Sequence, residues 1–286
     1  MISRPFAGLA AECQLVALRE FVPSATAPLP LAQSALAQPA LAQSAGRDVT
    51  LATLLPMAAA AMVRPDGVAL VGLQVLARSG DLSRDLGRAL SWALTAEPGA
   101  VLPGVSTTAD GEQVRLGDLL RADAPLQVTM YPDFAWWVPG DQAPSEEMTA
   151  ALQHANAAIM PTEAVTGVGV EAAYWVDAGS KAHLRWVRPE PEEQLLAALA
   201  RLAARGELDL GEGSRFAGSF RVHGVVVPVW DLDPERHARE WVDPAEAFAR
   251  QLRQALEGLD GPEDLLLTDA ERRALRGLRG RQLTLR

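Results

Sequence analysis

Apolar residues fall along the chain in two signals, a fourfold spacing that marks helices and an alternation or short unbroken run that marks strands. Over residues 81–96, Leu82, Leu86, Leu90 and Leu94 recur every four positions. That spacing stacks them in one stripe and predicts a helix, which Pro98 and Gly99 stop. A second stripe of Leu195, Leu199 and Leu202 predicts a helix over 190–205. Pro191 suits a first helical residue there, and Glu192 and Glu193 suit the positive end of the helix dipole. Two strand-like stretches around a turn precede each helix: 49–55 and 68–76 about Pro65-Asp66-Gly67, then 168–176 and 183–187 about residues 177–180. In 168–176 the apolar side chains of Val168, Val170, Ala172, Tyr174 and Val176 alternate, which places them on one face of a strand. The order strand, turn, strand, helix therefore recurs in pattern, not in residue identity, and predicts an internal duplication.

Further elements complete the outline. A strand is expected at 126–131, a helix capped by Ser145, a hairpin of 216–222 with 225–230, and a helix from Pro244 that buries Phe248, Leu252 and Leu256. Thr268 with Glu271 has the spacing of a capping box and opens a last helix. The run from Val225 to Trp230 does not alternate, so it should be covered on both faces, with Pro228 at a bulge or an edge. Residues 31–45 read LAQSA-LAQPA-LAQSA, a repeat with no core-forming period, and are expected to be a linker or loop insertion. Strands joined by short turns, with helices interspersed, predict an α+β fold of mainly antiparallel sheets carrying helices on one face. The expected domains are an N-terminal docking segment at 1–47 containing the linker, a first half at 48–160, and a second half with the last helix at 161–286.

Composition adds limits rather than a function. At 286 residues and 49% hydrophobic content the chain can bury one large core or two medium ones. Cys13 is the single cysteine, which excludes an internal disulfide and agrees with a reducing compartment, so cytoplasm is expected. The stretch 8–13, GLAAEC, lacks the basic start, apolar stretch and small residue before cysteine that a lipoprotein signal needs. The longest apolar run, 49–63, is shorter than the roughly 20 residues that span a bilayer, and Pro56 interrupts it. A net charge of −10 opposes attraction to nucleic-acid phosphates or an anionic membrane. Lys181 is the only lysine, a bias that carries no functional weight.

The segments RPFAGLAAECQLVALREFVPSATAPL (4–29), GRDVTLATLLPMA, SGDLSRDLGRALSWALTAEPG, GVVVPVWDLDPE and the closing RQLTLR resemble the actinobacterial family known as domain of unknown function 5926. The likeness spans nearly the whole chain. It implies one shared architecture and a bacterial cytoplasmic setting, and it brings no catalytic residues, since that family has no established activity. The lysine-rich N-terminal tail of family members is missing here, which weakens a nucleic-acid role. Translocase-ATPase or topoisomerase labels on relatives find no support either, because Gly179-Ser180-Lys181 lacks the upstream glycine and the order of a phosphate loop.

Four constellations are candidates for chemistry. Asp231 and Asp233, at i and i+2 before His237 and Glu240, could bind a divalent cation or supply an acid and base; equally, Asp233 could cap a short helix starting at Pro234. Tyr131, Asp133, Phe134, Trp136 and Trp137 could form an aromatic platform for a peptide or a ring-bearing ligand, although consecutive tryptophans point opposite ways in extended chain, which sends one of them into the core. Arg272, Arg273, Arg276, Arg279, Arg281 and Arg286 make a basic patch open to nucleic acid or an acidic partner, but they also complement a helix C-terminus, and stacking aromatics are absent. Gly167-Val168-Gly169 imitates a dinucleotide fingerprint inside what alternates as a strand, so a turn or bulge is expected and no cofactor. Neither Cys13 nor the histidines show metal-ligand spacing, and no nucleophile elbow occurs. The preferred reading is a non-enzymatic binding or adaptor protein, with a protein or small ligand as partner and no membrane. The alternative is a carboxylate-dependent, metal-assisted or metal-free hydrolase or transferase using Asp231 and Asp233.

Overall fold

The structure is a computed structural model and describes residues 4–33, 47–76, 79–105, 114–140, 142–259, 267–281 and 283. Most of the 31–45 repeat lies outside these residues. Two units divide the chain, Met1–Ile159 and Met160–Arg286.

In the first unit the elements are α1 (Glu12–Glu20), β1 (Ala25–Pro28), β2 (Val49–Ala52), β3 (Ala61–Val63), β4 (Ala69–Gly72), α2 (Leu82–Thr95), β5 (Val101–Leu102), α3 (Leu116–Leu119), β6 (Thr129–Met130) and α4 (Glu146–Ala157). The strands form one sheet in the order β5-β3-β4-β2-β1-β6. Every neighbouring pair is antiparallel except β2 and β4. This corrects the expected hairpin of 49–55 with 68–76. A turn as tight as 65–67 joins only antiparallel neighbours, so the strand it joins to β4 is β3, which the sequence hid inside the apolar run 49–63. Likewise 126–131 shrinks to the two residues of β6. Helix α2 keeps its expected span: Asp81 accepts a hydrogen bond from the Arg84 N–H, and Leu86, Leu90 and Leu94 are buried against the sheet. The segment ahead of the repeat supplies β1, which lies between β2 and β6.

The second unit holds β7 (Thr162–Gly167), β8 (Val170–Asp177), β9 (Ala182–Trp186), α5 (Glu192–Ala204), β10 (Ser214–Val222), β11 (Val225–Leu232), α6 (Val242–Leu256) and α7 (Asp269–Arg279). Its sheet runs β10-β11-β9-β8-β7 and is antiparallel throughout. Trp186 and Trp230 from the sheet share a core with Leu195, Leu199 and Leu202 of α5, Phe248 and Leu252 of α6, and Leu278 of α7, so the three helices cover one face. Thr268 caps α7 as a reciprocal capping box with Glu271, and α6 starts at Val242, two residues before Pro244.

Two strand details differ from expectation. The stripe Val168 to Val176 breaks at Ala172, whose left-handed φ of 51° forms a bulge; Val170 joins Ala173 and Trp175 in the helix-facing core, away from Tyr174 and Val176. Pro228 sits neither at the sheet edge nor in a bulge of its own strand. It pairs with Ser219 of β10, and the ladder to β9, continuous from Leu232 to Val229, breaks at Pro228 and resumes in the same register at the Arg188–Val226 bridge, so the gap falls where the missing N–H would have paired. Val225 to Trp230 are all buried, as their unbroken run requires.

The architecture is α+β, with seven helices among the described residues and two mostly antiparallel sheets. Strand pairing differs between the units: a parallel pair precedes α2, whereas an antiparallel meander precedes α5. Among the described residues no helix is long and apolar enough to cross a membrane.

Candidate functional site

The aromatic segment follows β6 and turns into a short 3-10 stretch, Ala135–Trp137. That turn sends the two tryptophans to different surroundings. Trp137 is buried with Phe134 and Ala155 under Leu152 and Met148 of α4, and its indole N–H donates to the Leu54 carbonyl at 3.0 Å. Trp136 stays half-buried, its ring 5.7 Å from that of Tyr131, and its indole N–H donates to Ser24 Oγ at 2.9 Å. The Ser24 hydroxyl in turn donates to the Asp133 carbonyl at 2.7 Å, and the Asp133 carboxylate accepts from the Ala135 N–H at 2.8 Å. Tyr131 meets Thr26 of β1 at 3.2 Å between hydroxyls. Both indole N–H groups and both Asp133 oxygens named here are engaged within the unit.

Around Trp136 the surface is apolar and strained. Trp136 and Met62 pack against a small buried cluster of Ala52, Leu55, Ala59 and Leu70. Between Leu55 and Ala59, Met57 and Ala58 adopt left-handed φ of 59° and 51°, a conformation that costs a non-glycine residue about 1–3 kcal/mol. Met57 is 75% exposed. Val101, opposite Met62 on β5, and Val68, beside the turn that Arg64 ties to the Trp136 carbonyl at 2.9 Å, are exposed as well.

Asp231 lies on β11 directly between Arg215 of β10 and His183 of β9. Its carboxylate accepts from Lys181 Nζ at 3.0 Å and Arg215 Nη2 at 3.1 Å, and His183 Nδ1 lies 3.2 Å away. Burial pushes the Asp231 carboxyl up, but Lys181 and Arg215 with His183 outweigh it and hold the group below the usual carboxylate range. His183 is pushed down by burial, against the pull of Asp231 and with help from Arg185 and Lys181. The carboxylate is thus charged, as a metal ligand must be, but Lys181 and Arg215 already match that charge and would repel a metal ion.

Asp233 has separate partners. Its side chain accepts from the Glu235 N–H at 3.0 Å and its own N–H donates to the Gly213 carbonyl at 2.8 Å. It therefore closes a turn; no helix starts at Pro234, which corrects that expectation. The N-cap is His237 instead: its N–H donates to Glu240 at 2.9 Å ahead of the 3-10 stretch Ala238–Trp241, its Nε2 lies 3.0 Å from Glu163, and its ring stacks on Trp175 at 5.8 Å. Asp231, Asp233 and His237 are each satisfied by different groups. Among the described residues no set of three His, Cys, Asp or Glu side chains is placed to share a metal ion.

The basic patch is a row along α7. Arg272, Arg273, Arg276 and Arg279 are exposed, with Arg272 paired to Asp269 at 3.0 Å. Gly167 and Gly169 bracket the β7–β8 turn, where Glu246 accepts from the Val168 N–H at 2.7 Å, and no helix opens inside the motif. Sequence reasoning missed Lys181, His183 and Arg215 as partners of Asp231. The only signal for them was cross-strand register, which becomes visible once the hairpin turns are placed.

A family model described as a family of unknown function matches residues 5–286. The chain belongs to DUF5926. No curated protein and no solved structure matches this DUF5926 chain. Membership therefore extends over both units and assigns no activity to either.

Proposed function

We propose that this DUF5926 chain is a binding or adaptor protein of the actinobacterial cytoplasm, and that it takes an apolar protein partner on the surface around Trp136. One observation carries the reading: Met57 stands 75% exposed in left-handed backbone between Leu55 and Ala59, which belong to the cluster that half-buried Trp136 packs against. Val101, paired with Met62 of that cluster's rim, is exposed, as is Val68. Strained, exposed apolar residues bordering such a cluster are worth their cost when a partner covers them. The hydrolase reading needs Asp231 free for a metal or a substrate, and its engagement by Lys181 and Arg215 counts against that use.

The test is quantitative cross-linking in the native host with wild type, Met57→Asp/Val68→Asp and Asp231→Asn. The expected result is one stoichiometric partner, lost with the first variant and kept with the second. Capture indifferent to the surface variant, or lost in Asp231→Asn alone, would sink the reading.

A further inference from the structure

Strand β10 is an edge of the second sheet, and something already sits on it. The Ser219 N–H donates to the Arg281 carbonyl at 3.2 Å, and the Leu283 N–H donates to the Ser219 carbonyl at 2.9 Å. One residue bonded to two positions a dipeptide apart is the hydrogen-bond pattern of a parallel pair, since an antiparallel bridge would return both bonds to the same residue. The backbone at Arg281 and Leu283 therefore adds to the sheet alongside β10.

The seat is shaped for a strand. Gly218 has a φ of 153°, and a Cβ there would come 2.2 Å from the Arg281 carbonyl oxygen and 3.1 Å from Leu283 Cγ. Only glycine lets the second backbone approach this closely. Leu283 lines a cavity of about 40 Å³ with Leu196, Phe220, Val226 and Leu278 at its apolar side and Glu192, Arg221 and Arg279 at its polar side, and it remains 37% exposed. From Gln282 the sequence alternates polar and apolar as Gln-Leu-Thr-Leu-Arg, the pattern of a strand that buries one face.

We propose that the β10 edge is a strand-addition site whose occupant is the segment 281–286 of a second copy of the chain, taking the place that Arg281 and Leu283 hold here in cis. Main-chain bonds to an exposed edge supply affinity, and a cavity apolar on one side and charged on the other suits a strand that alternates apolar and polar residues. Two hydrogen bonds and a partly filled cavity make the cis contact exchangeable, while its tether keeps the local concentration of the segment high. This site lies in the second unit and does not rest on the reading given for Trp136.

The test uses a fluorescein-labelled peptide of residues 279–286 and the full chain. Leu283→Asp should release the cis segment and bind the peptide at least tenfold tighter than wild type by anisotropy. Adding Gly218→Val to that variant should return binding to the wild-type level. Leu283→Asp binding no tighter than wild type, or the double variant binding as tightly as the single, overturns the proposal. Amide exchange on the unmodified chain gives a second reading that no misfolded variant can confuse. The Leu283 amide should be protected, and saturating peptide should remove that protection; exchange at the free-chain rate, or protection indifferent to the peptide, refutes the site.

Discussion

A glycine inside a helix ordinarily costs about 1 kcal/mol against alanine, so Gly87 in the middle of α2 reads as a defect until its neighbour is considered. A Cβ at that position would lie 2.3 Å from the Val114 carbonyl oxygen, a backbone atom that cannot swing aside. Gly87→Ala is therefore expected to destabilise, by about 1–3 kcal/mol as for an overpacked core, and a chemical melt that shows stabilisation would mean the 114–115 segment does not pack there. His183 gives a pH-dependent counterpart. Its folded pKa lies below the ordinary 6.5, because burial, Arg185 and Lys181 outweigh Asp231. The unfolded chain then binds the proton more readily, so the stability is fully present above about pH 6.5 and falls as pH drops below it. Between pH 7.5 and 5.5, His183→Gln should lose less stability than wild type, and parallel slopes would remove the effect. None of the partners of Asp231 could be read locally, since Arg215 and Lys181 reach it only through strand register.

Helices were more legible than strands, and the reason is local. The stripe and cap of α2, the acidic first turn of α5 and the capping box of α7 each sit within one element, so sequence alone contains the whole signal. The strands of the first unit run two to four residues, too short for an alternation to declare itself, and β3 merged with the apolar run before it. Tertiary partners also decide which caps matter. Thr268→Ala removes a side-chain acceptor and should cost about 1 kcal/mol. Trp137→Ala should cost about 3–5 kcal/mol, because α4 is held by the Phe134–Trp137 cluster. A melt showing Trp137→Ala to be the milder of the two would mean that α4 does not depend on that cluster.

For the molecule as a whole, the α+β class was legible because turn residues announced antiparallel neighbours, and the parallel β2–β4 pair was not, because nothing in a short strand records its direction. The acid pair was legible as residues and misleading as a pair, since Asp231 and Asp233 face different partners. Thermal melts with magnesium, manganese or calcium should leave stability unchanged, where a site at a hundred times its dissociation constant would add about 2.7 kcal/mol. A shift present in wild type and absent from both Asp231→Asn and Asp233→Asn would restore the metal reading. The position of β1 also sets a clock. It is among the first strands to leave the ribosome, yet the strand that pairs with its outer side, β6, follows roughly a hundred residues later. At about 5–20 residues per second, that edge stays open for roughly 5–20 s of synthesis, long enough for a chaperone, or a neighbouring nascent chain, to find it first.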